Sequence, residues 1–120
     1  MADVTIDRTQ IQNNRIGIFA NGAGTTRGVV RSSVVSGNAT WGIGAQGARS
    51  SLMIENTNVS GNQVGIVAKN SASVVVSRSS IVFNRTGLSA SAGGTLSTYK
   101  NNDLNGNTAD GVFTATVVQH

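Results

Sequence analysis

The stretch VSGNQVGIVA at residues 59–68 decides the fold, because its pattern occurs five times in 120 residues. The copies IQNNRIGIFA at 11–20 and LNGNTADGVF at 104–113 keep the same order: an apolar residue, a polar turn that ends in asparagine, then glycine and a second apolar residue. The asparagines recur every 22–24 residues, at Asn14, Asn38, Asn62, Asn84 and Asn107. Internal repetition at such a period indicates a repeat architecture.

Composition restricts the fold and function classes that are open to the chain. Only 12% of the residues are charged, 38% are hydrophobic, and there are 15 Gly, no Pro and no Cys. Helical domains are usually richer in charge and in Ala, Leu, Glu and Lys, whereas plentiful Val and Ile oppose disorder. The lack of cysteine excludes a disulfide framework and a thiolate metal site. No apolar run approaches the roughly 18 residues of a membrane-spanning helix.

Apolar residues alternate with other residues inside each repeat, as in Val4-Thr5-Ile6 and Leu52-Met53-Ile54. This spacing places the apolar side chains on one face of a short β-strand, which Gly, Asn and Ser then interrupt. A repeat of three such strands cannot bury its own apolar face, so neighbouring repeats must stack. The sequence therefore predicts an all-β parallel solenoid of about five rungs, with three short strands per rung, as a single domain over residues 1–120. The rungs are expected at roughly 4–26, 27–50, 51–73, 74–95 and 96–120.

The repeated asparagine is expected at a turn, with its side chain pointing inwards. A primary amide can donate a hydrogen bond to the copy on one side and accept one from the copy on the other. Such a ladder satisfies buried polar groups that would otherwise cost about 1–3 kcal/mol each. The predicted structural ladder consists of Asn14, Asn38, Asn62, Asn84 and Asn107. The glycine downstream, for example Gly42 or Gly65, is expected at a bend where a Cβ atom would clash.

The segments IQNNRIGIFA, VSGNQVGIVA and LNGNTADGVF resemble the right-handed parallel β-helix repeats of the pectin-lyase-like superfamily, over about residues 4–114. The resemblance implies a right-handed coil. It also implies carbohydrate as the usual target, since lyases, glycosidases, epimerases and attachment domains are built on this coil, and it suggests a secreted or cell-surface protein.

The chain departs from the enzymes that it resembles in two ways. About five rungs are fewer than those enzymes generally have, and no capping helix precedes Val4. These departures suggest an excised or engineered piece of a longer solenoid, a small stand-alone solenoid, or a subunit whose ends are covered by another chain. Because exposed strand edges are normally covered, we expect association. The first residues lack the basic and apolar segments of a signal peptide, so the compartment stays open.

One column of charged residues is the candidate for catalysis. Seven positions before each asparagine stand Asp7, Arg31, Glu55, Ser77 and Lys100. Asp7 and Glu55 would be about 9.6 Å apart across two rungs, which is at the upper limit for an inverting glycosidase pair, but Arg31 lies where a water or sugar belongs. We expect a surface charge ladder. The alternative is part of a polysaccharide lyase or glycoside hydrolase that uses Asp7, Arg31 and Glu55.

Two outward features are candidate contact surfaces. Trp41, the sole tryptophan, lies in a one-residue insertion between Asn38 and Gly42 and offers either a sugar-stacking ring or a cover for the corner of the coil. A second stripe lies nine positions before each asparagine, at Thr5, Val29, Met53, Val75 and Thr98. Its apolar centre, formed by Val29, Met53 and Val75, is expected to face outwards and to promote self-association.

The net charge of +4 and the sequence pI of about 10.8 indicate nucleic acid or an acidic polysaccharide as a partner, and the resemblance to the β-helix family agrees better with a polyanionic glycan. The arginines fall in scattered columns and aromatics are few, so nucleic-acid binding is not expected. The sequence therefore predicts a non-catalytic β-solenoid module that is structural or contacts poly- or oligosaccharide, and that self-associates or is capped by another chain. We expect no cofactor, no metal site and no membrane span.

Overall fold

The computed structural model describes residues 2–21 and 24–116, and every regular element in these ranges is a β-strand of two to six residues. In chain order the strands are β1 (Ala2–Asp7), β2 (Gln10–Gln12), β3 (Ile16–Asn21), β4 (Thr26–Arg31), β5 (Val34–Ser36), β6 (Trp41–Gln46), β7 (Ser50–Glu55), β8 (Asn58–Ser60), β9 (Val64–Lys69), β10 (Ser73–Ser77), β11 (Ser80–Val82), β12 (Thr86–Ser91), β13 (Thr95–Thr98), β14 (Asp103–Asn105) and β15 (Ala115–Thr116). Within the same ranges, the structure has no long apolar helix of the kind that crosses a bilayer.

The strands form three parallel sheets, because each strand pairs with the strand three places further along the chain. Sheet A contains β1, β4, β7, β10 and β13, with β15 added at its end; sheet B contains β2, β5, β8, β11 and β14; sheet C contains β3, β6, β9 and β12. Each of the first four coils thus carries one strand of each sheet, which confirms the predicted all-β parallel solenoid with three strands per rung.

Four coils have all three strands, and the fifth is incomplete. The fifth coil contains β13 and β14, while a single bridge between Thr86 and Ala109 replaces its strand in sheet C. The ladder of strand pairings continues without interruption from the first coil to this one. The described part of the chain is therefore a solenoid of about four turns with a partial fifth.

The core runs along the axis of the coil and is built from stacked rows of apolar side chains. Each sheet contributes at least one row that is enclosed in the middle coils, for example Val35, Val59 and Ile81 in sheet B. The most deeply buried large side chains are Val30, Val35, Ile43, Ile54, Val59, Ile66, Val74, Val76, Ile81 and Leu96. Full burial of each such side chain contributes about 1.5–3 kcal/mol, and only stacking achieves it, since Val4 in the first rung is still 50% exposed.

The register of the last rung differs from the one predicted by counting back from Asn107. Val76 pairs with Thr98 rather than with Tyr99, and Val75 pairs with Ser97 rather than with Thr98. The cause is an extra residue in the turn between β13 and β14. Lys100 consequently lies at a left-handed turn position, with a φ of 67°, and is not in the column of Asp7.

Four of the five repeated glycines lie in the strands of sheet C and pack against the ladder instead of forming bends, namely Gly17, Gly42, Gly65 and Gly87, whereas Gly111 has a positive φ of 75°. Gly42 lies inside β6, where an added Cβ atom would be 2.8 Å from the carbonyl oxygen of Gly65 and 2.8 Å from Nδ2 of Asn62. The bends occur one residue before each ladder asparagine, where φ is positive. These left-handed residues are Asn13, Gly37, Gly61, Phe83 and Gly106.

Candidate functional site

The asparagine side chains form a hydrogen-bonded line inside the turn between sheets B and C. Nδ2 of Asn38 donates to Oδ1 of Asn62 at 2.8 Å, and the same bond joins Asn62 to Asn84 and Asn84 to Asn107, each at 3.0 Å. The backbone N–H of each donor residue also donates to that oxygen. Asn38, Asn62 and Asn84 are buried, so these amides hold the turn together and offer nothing to a ligand.

The two ends of this ladder differ. In the first rung the backbone N–H of Asn14 donates to Oδ1 of Asn38, but its Nδ2 donates to the carbonyl oxygen of Gln12, and the residue is exposed. In the last rung, Nδ2 of Asn107 donates to Oδ1 of Asp110 at 3.0 Å. The Asp110 carboxylate thus supplies the acceptor that a further asparagine would supply. Sequence analysis did not predict this role.

A second line of short polar side chains supports the turn between sheets A and B. The hydroxyls of Thr57 and Ser79 donate to the backbone carbonyl oxygens of Glu55 and Ser77, two residues upstream, at 2.8 and 2.9 Å. The backbone N–H of Thr57 donates in turn to Oγ of Ser79 in the next rung, at 3.1 Å. Both corners that flank sheet B are therefore fixed by buried polar groups.

The candidate catalytic column lies on the outer face of sheet A. Asp7, Arg31 and Glu55 are neighbours in register. Asp7 is 3.6 Å from Nε of Arg31 and 3.3 Å from Arg8, whereas Glu55 is 3.6 Å from Arg78. The two carboxylates do not converge, because Arg31 stands between them.

This arrangement has the features of surface ion pairs, which contribute about 0–1 kcal/mol each, and lacks the open space between two carboxylates that glycoside hydrolysis needs. Among the described residues, no group of three His, Asp or Glu side chains comes close enough to hold a metal ion.

Trp41 is the first residue of β6 and pairs with Ile16 and Val64 in the neighbouring rungs. The prediction that it sits in the insertion was wrong, since the extra residue of this repeat lies in the Ala39–Thr40 turn that precedes β6. Trp41 is half-buried on the outer face of sheet C. Its indole covers Gly44, where an added Cβ atom would be 2.7 Å from Cε3 of the ring.

Two further side chains complete this surface. The ring of Phe19, which is 41% exposed, meets the indole edge to face, with 5.5 Å between centroids and 75° between planes. Nζ of Lys69 lies over the indole, 5.5 Å from its centroid. We call Phe19, Trp41, Gly44 and Lys69 the Trp41 platform. It presents aromatic carbon and a cation on three consecutive rungs.

Val29, Met53 and Val75 are brought together on the outer face of sheet A. They occupy one register position in β4, β7 and β10, and each is half-buried. An open groove of about 460 Å³ runs beside them. At its edge, Nε of Arg27 lies 3.1 Å from Oδ1 of Asp3.

Sequence analysis missed one exposed aromatic residue, Phe83. Its side chain is 72% exposed and its φ is 58°, a left-handed conformation that is an outlier for a bulky residue. Such strain costs on the order of 1–3 kcal/mol. The only signal in the sequence is that the other four copies carry Asn or Gly at this position.

Comparison with known proteins identifies the coil. A family model described as a right handed beta helix region matches residues 1–117. The match confirms the right-handed parallel β-helix predicted from the repeat and is consistent with the pectin-lyase-like superfamily. No curated protein and no solved structure matches the chain significantly.

Proposed function

Because this chain belongs to the right-handed β-helix family, we propose that it is a non-catalytic solenoid module that contacts saccharides through the Trp41 platform. The observation that carries this proposal is the position of Trp41: an indole held half-exposed on a flat parallel sheet, with the Phe19 ring at its edge and the Lys69 ammonium above it.

The chemistry of the platform suits a sugar ring. One face of a pyranose presents C–H groups, which pack against the electron-rich face of an indole, while the hydroxyl rim needs polar partners at the side. Lys69 supplies three N–H donors on a flexible stem and a positive charge for a uronate or sulfate group. Gly44 and Phe19 already restrict the indole, so little side-chain entropy is lost on binding.

The ion pairs of the acidic residues support a module without catalysis. As part of a polysaccharide lyase or glycoside hydrolase, the chain would have to use Asp7, Arg31 and Glu55. The carboxylates of Asp7 and Glu55 instead each face a guanidinium group within 3.6 Å. We therefore assign the column to the surface charge of sheet A.

Calorimetric titration with a panel of polyuronates and neutral glycans tests saccharide contact. We expect binding by the wild type and a loss of at least about tenfold in Trp41→Ala, the scale of one lost aromatic stack. Val64→Ala is the matched control, since Val64 occupies the same register position one rung further. Unsaturated products or new reducing ends that disappear in Glu55→Gln would favour the enzyme instead.

We also propose self-association through the outer face of sheet A, because Val29, Met53 and Val75 form a contiguous apolar strip there. The Asp3 and Arg27 pair at the edge of the strip carries both charges, so two copies related by a two-fold axis can exchange these partners.

Sedimentation velocity over a range of concentrations tests this second proposal. We expect reversible oligomers of the wild type and a monomer for Met53→Lys, which places a charge in the centre of the strip. Asn58→Lys adds the same charge to an exposed position of sheet B and should change nothing. A wild type that stays monomeric at high concentration would contradict the proposal.

A further inference from the structure

Phe83 stands at the corner between sheets B and C, in the turn that the asparagine ladder supports from inside. Two features set it apart from its neighbours: the ring is 72% exposed, and the backbone adopts a φ of 58° that is rare for a bulky residue. Gly61 and Gly106 occupy the same position in the adjacent rungs. Because glycine takes this conformation without strain, the fold itself does not require a phenylalanine here.

The ring lies beside Gly106 of the next rung and does not belong to the core cluster of the described residues. Its Cδ1 and Cε1 atoms lie 3.0 Å from the place where a Cβ atom of Gly106 would be. Phe83 is absent from the buried core of the coil. A single ring above bare backbone is also far smaller than the roughly 800 Å² per partner of a stable protein interface. These features favour a small amphipathic ligand.

Polar and cationic residues occupy the position directly after the ladder asparagine in the same turn. Arg85 is exposed and, among the residues that the structure describes, it forms no ion pair. Gln63 and Thr108 occupy the position of Arg85 in the neighbouring rungs and are exposed as well. An exposed guanidinium two residues from an exposed ring in one turn can bind a carboxylate or sulfate with two parallel hydrogen bonds. We call Phe83, Gln63, Arg85 and Thr108 the Phe83 turn.

The Phe83 turn and the Trp41 platform flank the same corner of the coil. Trp41 opens β6 directly after the turn of the second rung, and Phe83 lies in the corresponding turn of the fourth rung. Two rungs separate them, which is about 9.6 Å along the axis. A linear glycan that runs from the Phe83 turn across the outer face of sheet C would therefore reach both.

We propose that the Phe83 turn is a second saccharide contact, that it takes an anionic sugar unit, and that one linear glycan occupies it together with the Trp41 platform. The inference rests on the proposed saccharide-contacting function. Phe83 supplies the stacking surface, Arg85 binds the acidic group, and the strained backbone keeps the ring turned away from the coil.

Calorimetry and thermal unfolding of matched variants test this inference, with a polyuronate oligosaccharide and its methyl ester as probes. Phe83→Gly should weaken binding of both probes about tenfold, the scale of one lost stacking contact, without lowering Tm, since glycine fits the left-handed turn. Arg85→Gln should weaken binding of the free acid about fivefold and leave binding of the ester unchanged. Asn13→Gly, at the same turn position of the first rung with a φ of 60°, is the control and should leave both affinities unchanged.

The outcomes separate this inference from the function on which it rests. Loss of binding in Trp41→Ala but affinity within twofold of wild type in Phe83→Gly would overturn the Phe83 turn alone. A lowered Tm in Phe83→Gly would identify the ring as structural and also overturn it. A changed sedimentation coefficient with unchanged glycan affinity would show a protein contact and contradict the inference. If the wild type binds neither probe, the proposed function and the inference both fail.

Discussion

Adjacent residues at one turn show how differently the inside and the outside of this coil are constrained. Asn84 is 2% exposed, and its amide bonds to asparagines in the rungs before and after it. Phe83, one residue earlier, is 72% exposed and has no counterpart in any other rung. An inward side chain must match the copies above and below, whereas an outward one faces solvent. The interior therefore repeats, and the exterior is where differences between rungs can serve contact with other molecules.

The largest loss of stability is expected when a buried asparagine of the ladder is replaced. Asn62→Leu removes the bond from Nδ2 to Oδ1 of Asn84 and leaves N–H groups of Asn38 without their acceptor. Each orphaned buried group costs about 1–3 kcal/mol, so we expect the free energy of unfolding to fall by about 2–4 kcal/mol. Urea denaturation measures it.

The neighbouring position is the control for that variant. Gln63→Leu changes an exposed residue that follows the ladder asparagine, and we expect a shift within about 0.5 kcal/mol. Equal losses for the two variants would mean that the ladder does not hold the turn.

A somewhat smaller loss of stability is expected when a glycine that lies against the ladder is replaced by alanine. In Gly42→Ala the new Cβ atom would be 2.8 Å from the carbonyl oxygen of Gly65, which belongs to the backbone and cannot rotate away. Overpacking of this kind costs about 1–3 kcal/mol. Gly24→Ala is the control, since no atom of the described residues, apart from its chain neighbours, lies within 4 Å of its Cβ position. A thermal unfolding curve of Gly42→Ala that overlays the wild type would contradict this explanation of the repeated glycines.

The same contrast explains how much could be predicted from the sequence. The rows of Val35, Val59 and Ile81 and the asparagine ladder repeat because stacking makes each copy the partner of the next, so counting alone identifies them. Outward contacts join side chains of different types on different rungs. The contact of Trp41 with Phe19 and Lys69 depends on strand register and on the bare backbone of Gly44, which no periodicity reveals.

The remaining differences between the sequence-based predictions and the structure arise in the turns. One extra residue between β13 and β14 moved Lys100 out of the column of Asp7. The left-handed backbone at Phe83 could not be predicted from the sequence either, because phenylalanine rarely adopts this conformation.

At the end of the ladder we expect a loss of stability of intermediate size. Asp110 accepts a hydrogen bond as a ladder asparagine does, but it is exposed to solvent. Asp110→Ala removes the oxygen that accepts from Nδ2 of Asn107 at 3.0 Å. Since Asp110 is exposed and water can replace part of that bond, we expect a loss of about 0.5–1.5 kcal/mol. Asp110→Asn keeps an Oδ1 acceptor and should retain most of the stability in urea denaturation. If both variants lose the same amount, the carboxylate charge rather than the acceptor is what matters.

The smallest effect is expected at the charged column of sheet A. Glu55→Gln removes one partner of the 3.6 Å pair with Arg78, whose side chain is 65% exposed. Exposed ion pairs of this kind contribute about 0–1 kcal/mol, and salt screens them. We therefore expect a change of at most about 0.5 kcal/mol at moderate salt, and none at 1 M salt. If Glu55→Gln lowered the free energy of unfolding as much as Asn62→Leu, outward side chains would contribute as much to the stability of the coil as inward ones. The contrast between the inside and the outside of the coil would then be wrong.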